Sequence, residues 1–104
     1  MGASVNLGHG RVLAVQTVAF TTTSAQAPNP FGPQTYQVRV VANSDCHVKI
    51  GSGSVTATTS DPFLPSGTID YLMVSPGETI AAVEAATNGH VTATAGTLNV
   101  TELG

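Results

Sequence analysis

Short segments in which apolar and polar residues alternate are the feature that most constrains the fold of this chain. From Thr35 to Val40 an apolar residue stands at every second position, and the alternation resumes from Cys46 to Ile50 after an Asn-Ser-Asp sequence. A period of two is that of a half-buried β-strand, because successive side chains point to opposite faces of a sheet. Since Asn and Asp favour turns, we predict a β-hairpin over residues 35–51.

Further strands are predicted along the chain, separated by turn sequences. Residues 11–23 and 79–86 are rich in strand-forming residues, and residues 68–74 are apolar on both faces. The Ser-Pro-Gly-Glu sequence at 75–78 fits a type II turn, with Pro at its second position and Gly at its third. The Asn-Gly pair at 88–89 predicts a two-residue hairpin turn.

The middle of the chain combines two less regular segments. Residues 54–60 alternate Val55 and Ala57 with hydroxyl residues, which predicts either an edge strand or an extended loop on the surface. Residues 61–67 form a corner bracketed by prolines, because each proline fixes its own φ and restricts the residue before it. From this corner Phe63 and Leu64 are expected to plug the end of the core.

The pattern as a whole is typical of an all-β fold. About seven to eight short strands follow one another at intervals of about eight to twelve residues, and no segment has a helical period with capping residues. We therefore predict an antiparallel β-sandwich, jelly-roll-like in form. A chain of 104 residues fits one domain, expected at residues 11–104 behind a glycine-rich N-terminal arm at residues 1–10.

The charge of the chain restricts its partners. Charged residues make up 9% of the sequence, against about 25% in typical soluble domains, and the net charge is −3. Nucleic acids and anionic membranes attract clustered Lys and Arg, so neither is expected as a partner. Because the core of an interface excludes charge, the composition is typical of a component of an assembly.

Two further features of the sequence bear on location and reactivity. No apolar run is longer than the four residues of 12–15, which is too short for a signal-peptide core or a membrane span, so we expect a soluble protein made in the cytoplasm. The single cysteine, Cys46, alternates with polar neighbours and is predicted to be a small buried side chain rather than a reactive thiol.

Residues with chemical potential are dispersed. His9, His47 and His90 are not spaced with Cys, Asp or Glu as metal ligands usually are, and the six acidic residues are interpreted as solvated charges. The Gly-rich sequence at 51–54 lacks the lysine and the helix of a phosphate-binding loop. We predict no catalytic residue, no cofactor and no metal site, and hence no enzyme.

Three runs in the middle of the chain carry a family resemblance. They are DCHVKIGS at 45–52, TATTSDPFLPSG at 56–67 and YLMVSPGETIA at 71–81. This region, about a third of the chain, is similar to small β-sandwich virion proteins of tailed bacteriophages. The shared features are turn and packing motifs, so the resemblance bears on fold and setting and brings no catalytic residues with it.

The resemblance implies a capsid decoration (cement) protein that binds and stabilises the major capsid shell without catalysis. Its implied partners are the major capsid protein and copies of itself, with a trimer favoured. Its implied location is the capsid surface of the virion, after synthesis in the host cytoplasm. A ring subunit at the head-tail connector or tail is the alternative. A carbohydrate-binding module is a further alternative, but its aromatic platform would have to come from a chain with no Trp and two Tyr.

Candidate contact residues lie in four parts of the chain: the arm, the proline-rich loop, the corner and the strand at 68–74. They are Val5, Leu7, Phe31, Pro33, Phe63, Leu64, Leu72 and Val74. For Phe63, capping of the core is the competing interpretation. Leu72 and Val74 are included because they lie opposite a first apolar face formed by Ile69, Tyr71 and Met73.

Overall fold

The computed structural model of the chain describes residues 11–85 and 94–104, which form eight β-strands and no helix. The strands are β1 (Val12–Phe20), β2 (Ala25–Gln26), β3 (Gln37–Ala42), β4 (Cys46–Ser52), β5 (Phe63–Leu64), β6 (Asp70–Met73), β7 (Glu78–Glu84) and β8 (Gly96–Leu103).

The strands form two four-stranded sheets. Sheet I has the order β1-β8-β3-β6 and sheet II has the order β2-β7-β4-β5, with every neighbouring pair antiparallel. Four of the pairs are the ones that a single long antiparallel hairpin would form if its tip were the β4–β5 connection. They are β1–β8, β2–β7, β3–β6 and β4–β5. Rolling this hairpin brings β8 beside β3 and β7 beside β4, which is the strand order of a jelly roll. The predicted antiparallel sandwich is therefore confirmed.

The core lies between the two sheets and is built from alternate residues of each strand. Sheet I contributes Val18, Phe20, Val38, Val40, Leu98 and Val100, and sheet II contributes Cys46, Val48, Leu64, Ile80 and Ala82. Most of these side chains are small or β-branched. The alternation along each strand therefore determines which face points inward, and a few large aromatic residues do not. Cys46 is fully buried, as its alternation with polar neighbours predicted.

The hairpin predicted over residues 35–51 is wrong. β3 belongs to sheet I and β4 to sheet II, so the chain crosses between the layers at the Asn-Ser-Asp sequence. Its polar side chains bond to other segments instead of closing a tight turn. Thr97 N donates to Asn43 Oδ1 (2.7 Å), and Ser66 N donates to Asp45 Oδ1 (2.7 Å). Both strands still bury alternate residues, because each faces the core from its own sheet.

The connections on either side of β7 also cross between the sheets. The type II turn predicted at 75–78 is confirmed, because Glu78 N donates to Ser75 O (3.1 Å) and Gly77 has a φ of +86°. The Asn-Gly turn predicted at 88–89 lies outside the described residues. The strands that flank it do not pair as a hairpin, since β7 lies in sheet II and β8 in sheet I.

Residues 53–60, named here the cover loop, lie on the outer face of sheet II. They form no strand. Of the two predicted alternatives, the extended surface loop is therefore the one that the structure has. Val55 and Ala57 pack against Ala81 and Val83 in a second apolar cluster, separate from the core. The alternation in the loop therefore selects the side chains that cover the sheet.

Candidate interaction surface

The outer face of sheet I carries exposed apolar side chains. Pairing across the four strands places Val15, Thr101, Arg39 and Tyr71 in one row, and Val12, Leu103, Gln37 and Met73 in the next. These rows point away from the core, because Val38 and Val40 of β3 point into it. The exposed apolar face is defined by Val12, Val15, Ile69, Tyr71 and Met73.

This face combines high exposure with little charge. Met73 is 76% exposed, Val12 60% and Val15 57%. Among the outward positions of the four described strands, Arg39 is the single charged residue. The exposed apolar side chains lie at the two edges of the sheet, on β1 and beside or on β6, and the half-buried Gln37 and Arg39 and the buried Thr101 and Leu103 lie between them. Several exposed apolar side chains on one face with little charge are typical of a contact site, whereas scattered single ones are ordinary.

The contact residues predicted on the strand at 68–74 lie on its buried side. Val74 is buried at 7% exposure, and Leu72 pairs with Val38 and packs against the core. Ile69 and Met73 are the exposed side chains instead. Among the described strands β6 pairs with β3 alone, at the edge of sheet I, and its inward face is covered because Leu72 packs against the core. The segment is apolar on both sides, and Ile69, Tyr71 and Met73 are on the exposed side.

The contact residues predicted in the proline-rich loop also separate. Phe31 is buried at 3% exposure and belongs to the core. Its backbone is fixed to the 75–78 turn, because Phe31 N donates to Glu78 O (2.7 Å) and Gly77 N donates to Phe31 O (2.9 Å). The Phe31 side chain is therefore not available on the surface of this chain, whereas Pro33 is exposed. Val5 and Leu7 lie outside the described residues.

The two residues of the corner have different environments. Leu64 is buried at 3% exposure and plugs the core, as predicted, so it offers no surface to a partner. Phe63 is 45% exposed and does not plug the core. Its ring lies against that of His47, with centroids 5.3 Å apart and planes tilted by 54°. His47 Nδ1 lies 2.7 Å from Asp61 O, which fixes the histidine ring beside the corner.

Glu102 is a functional candidate that the sequence interpretation missed. It was expected to be a solvated charge, but its side chain is only 4% exposed. Gly32 N donates to Glu102 Oε1 (2.9 Å), and Thr35 Oγ1 donates to the same oxygen (2.8 Å). The alternation along β8 contained the signal, because Glu102 has the same parity as the core residues Leu98 and Val100.

The chemistry of the remaining polar groups is limited. Burial, with a smaller contribution from the Asp45 charge, raises the pKa of the Cys46 thiol to about 11. A thiol with a raised pKa is a poor nucleophile. Within residues 11–85 and 94–104, no group of three or more His, Cys, Asp or Glu side chains is arranged to hold a metal ion. Over the same residues no helix has the length and apolar character to cross a membrane.

Comparison of the chain with protein-family models, with curated proteins and with solved structures found no match. The similarity to phage virion proteins therefore rests on the three sequence runs at 45–81, and the biological role of the chain is a proposal.

Proposed function

We propose that this protein is a structural component of a bacteriophage virion, a capsid decoration protein that binds the major capsid shell and stabilises it without catalysis. The observation that supports this role most directly is the exposed apolar face of sheet I. Met73, Val12 and Val15 there are more than half exposed, on a chain in which 9% of residues are charged. Burial of such a face against another protein lowers the free energy of the system.

Contact with a shell suits the geometry of this face. A regular sheet presents its rows of side chains as a nearly continuous surface, which a flat partner surface can cover. Each Å² of apolar area removed from water contributes about 25 cal/mol, and a specific interface buries at least about 1,000 Å² in total. A symmetric shell repeats the contact many times, so a modest affinity at each site is sufficient to stabilise the particle.

A second candidate role is a ring subunit at the head-tail connector or tail, and the edge strand β1 favours it. β1 spans Val12–Phe20 and contains no charged residue, and among the described strands it pairs with β8 alone. A long edge strand without charge is a template for pairing with another chain. Head-to-tail pairing, in which β1 of one copy meets a different edge of the next, would close a ring or a trimer. The proposed homo-oligomer is common to both roles.

Binding to shells that lack the protein tests the proposed role. We expect the wild-type protein to sediment with such shells and to raise the temperature at which they rupture. Val15→Asp and Met73→Asp each place a carboxylate on the exposed apolar face, and we expect each to weaken binding by at least about tenfold, because an unpaired charge must be buried at the contact.

The matched control is Thr56→Asp, which adds the same charge at an exposed position of the cover loop, on the opposite side of the molecule. We expect this variant to bind like the wild-type protein. If the wild-type protein neither binds shells nor changes their thermal rupture, the decoration role is wrong. Copy number per particle separates the two roles, because a ring subunit is present in a few copies and a decoration protein in many.

A further inference from the structure

A cavity beside the exposed apolar face ends on a buried carboxylate. Its volume is about 320 Å³, and it is lined by Leu13, Ala14, Gly32, Pro33, Gln34, Thr35 and Glu102. The register between β1 and β8 shifts from Val12–Leu103 to Ala14–Glu102, which leaves Leu13 as an extra residue in β1. A bulge of this kind redirects a side chain, and here Leu13 becomes part of the cavity wall.

The Glu102 side chain is held in place, but only one of its two carboxylate oxygens accepts hydrogen bonds from the described residues. Both hydrogen bonds to its carboxylate, from Gly32 N and from Thr35 Oγ1, fall on Oε1. The other oxygen, Oε2, accepts no hydrogen bond from the described residues and is not sealed from solvent. No described cationic side chain forms an ion pair with it. A buried carboxylate without a cation is costly, and the free oxygen is available to a ligand.

We propose that this cavity binds an ammonium group at the end of an alkyl chain, the chemistry of a lysine side chain, with Glu102 Oε2 as the acceptor. The apolar wall formed by Leu13, Ala14 and Pro33 fits the methylene groups of such a chain. A guanidinium group binds a carboxylate best through both oxygens, but Oε1 already accepts two hydrogen bonds. A single free oxygen therefore favours the compact ammonium group.

The position of the cavity points to a protein as the source of the lysine. Leu13 and Ala14 lie in sequence between Val12 and Val15, two residues of the exposed apolar face. Glu102 has the inward parity of the core residues, so the cavity lies at the β1 edge of the sheet and not on the outer face itself. A partner that extends past this edge brings a lysine at its border beside Glu102. This assignment of the lysine to a capsid protein rests on the proposed function, whereas the ammonium site itself does not.

The ammonium site is tested with a small probe on the full chain. We expect n-butylammonium to produce saturable shifts of the Gly32 and Thr35 amide signals in the NMR spectrum of the labelled protein. Glu102→Gln keeps an oxygen acceptor for Gly32 N and Thr35 Oγ1 and loses the charge. We expect it to weaken binding of the probe by at least about tenfold. Butylguanidinium should bind more weakly than butylammonium, and n-butanol should not bind measurably.

A second variant keeps the test valid if Glu102→Gln destabilises the fold. Ala14→Leu fills the cavity without changing Glu102 and should also abolish the shifts. Ala19→Leu, at an exposed position of the same strand, is the matched control and should leave them unchanged. Absence of saturable shifts in the wild-type protein, or equal binding of butylammonium by wild type and Glu102→Gln, overturns the proposal.

Binding to shells distinguishes the sources of the ammonium group. Weaker shell binding by Glu102→Gln than by the wild-type protein supports a lysine of the shell as the occupant. Equal shell binding by the two proteins overturns that assignment, even where the probe binds. If the wild-type protein binds butylammonium but no shell, the site stands as one for free alkylamines and the proposed function fails.

Discussion

The two outer faces of the sandwich differ in how they are covered. On sheet II the cover loop packs Val55 and Ala57 over Ala81 and Val83, so a second apolar cluster forms within the chain. On sheet I, Val15 and the other residues of the exposed apolar face remain 39–76% exposed. Both faces are apolar and nearly free of charge, but only one is covered by a described segment of the chain.

On sheet II the low charge of the outer face has an explanation within the chain. On sheet II the outer face is an internal packing surface, and its residues are small because a loop must lie close to it. Side-chain hydrogen bonds hold that loop: Gln26 Oε1 accepts from Val55 N (3.0 Å), and Ser24 Oγ accepts from Ala57 N (2.8 Å). On sheet I the side chains of the exposed apolar face are larger, and they stay exposed beside the described residues.

The same substitution on the two faces is expected to produce the largest difference. Val83 is 7% exposed under the cover loop, so Val83→Asp must either bury a carboxylate or release the loop. We expect it to lower the free energy of unfolding by about 2–4 kcal/mol. Val15 is exposed, and Val15→Asp should cost less than about 1 kcal/mol, as is usual for a surface position.

Denaturation in urea, with both variants compared to the wild-type protein at low concentration, measures this difference. Low concentration keeps self-association from adding to the stability of the wild type. Equal losses at the two positions would show that the exposed apolar face is also covered within the monomer, and the contrast between the faces would be lost.

Two glutamines allow the cover loop itself to be loosened with a matched control. The Gln26 side chain holds the loop through two hydrogen bonds, because it accepts from Val55 N (3.0 Å) and donates to Gly53 O (2.9 Å). At the edge of the other sheet, the Gln16 side chain holds the backbone of Asn29 in the same way. It accepts from Asn29 N (3.0 Å) and donates to Asn29 O (2.9 Å). Replacing either glutamine by alanine should cost about 1 kcal/mol, since partly exposed hydrogen bonds contribute modestly.

The position of the local opening separates the two glutamine variants. Gln26→Ala should increase hydrogen exchange at the Ala57 amide, whose own bond to Ser24 is left intact, because the loop opens as a unit. Gln16→Ala should leave exchange at Ala57 unchanged apart from the global loss of stability. Similar exchange at Ala57 in the two variants would show that the loop does not act as a single cover.

The architecture could be predicted from the sequence, but the partners of the strands could not. Period-two alternation is local and identifies each strand and its inward face, as for Val38 and Val40. Partnership depends on long-range contacts. The segment between β3 and β4 has the composition of a hairpin turn, yet Asn43 and Asp45 bond to Thr97 and Ser66, and the chain changes sheets. No local pattern distinguishes such a crossing from a turn.

The candidate surface was predicted in part for the same reason. Leu72 and Val74 were separated correctly from Ile69 and Met73, but which pair meets the core depends on the pairing of β6 with β3. The parity of Glu102 with Leu98 and Val100 placed it inward, and the expectation that charges stay solvated concealed it. Its partners, Gly32 and Thr35, lie about 70 residues away, beyond any local pattern.

The smallest expected effect concerns the core that the two faces share, and it is a loss of stability that begins above pH 9. Cys46 is fully buried, and burial, with the Asp45 charge, raises the pKa of its thiol from 9.0 to about 11. The folded protein therefore holds the proton more tightly than the unfolded chain does. The resulting contribution to stability is fully present below pH 9 and is lost as the pH rises from 9 through 11.

We expect the free energy of unfolding of the wild type to fall over this interval relative to that of Cys46→Ala. Alkylation of native Cys46 at pH 8 should be far slower than that of a free cysteine, since the thiolate is the reactive form. Rapid alkylation, or parallel pH profiles for wild type and variant, would mean that Cys46 is accessible to water in the folded protein.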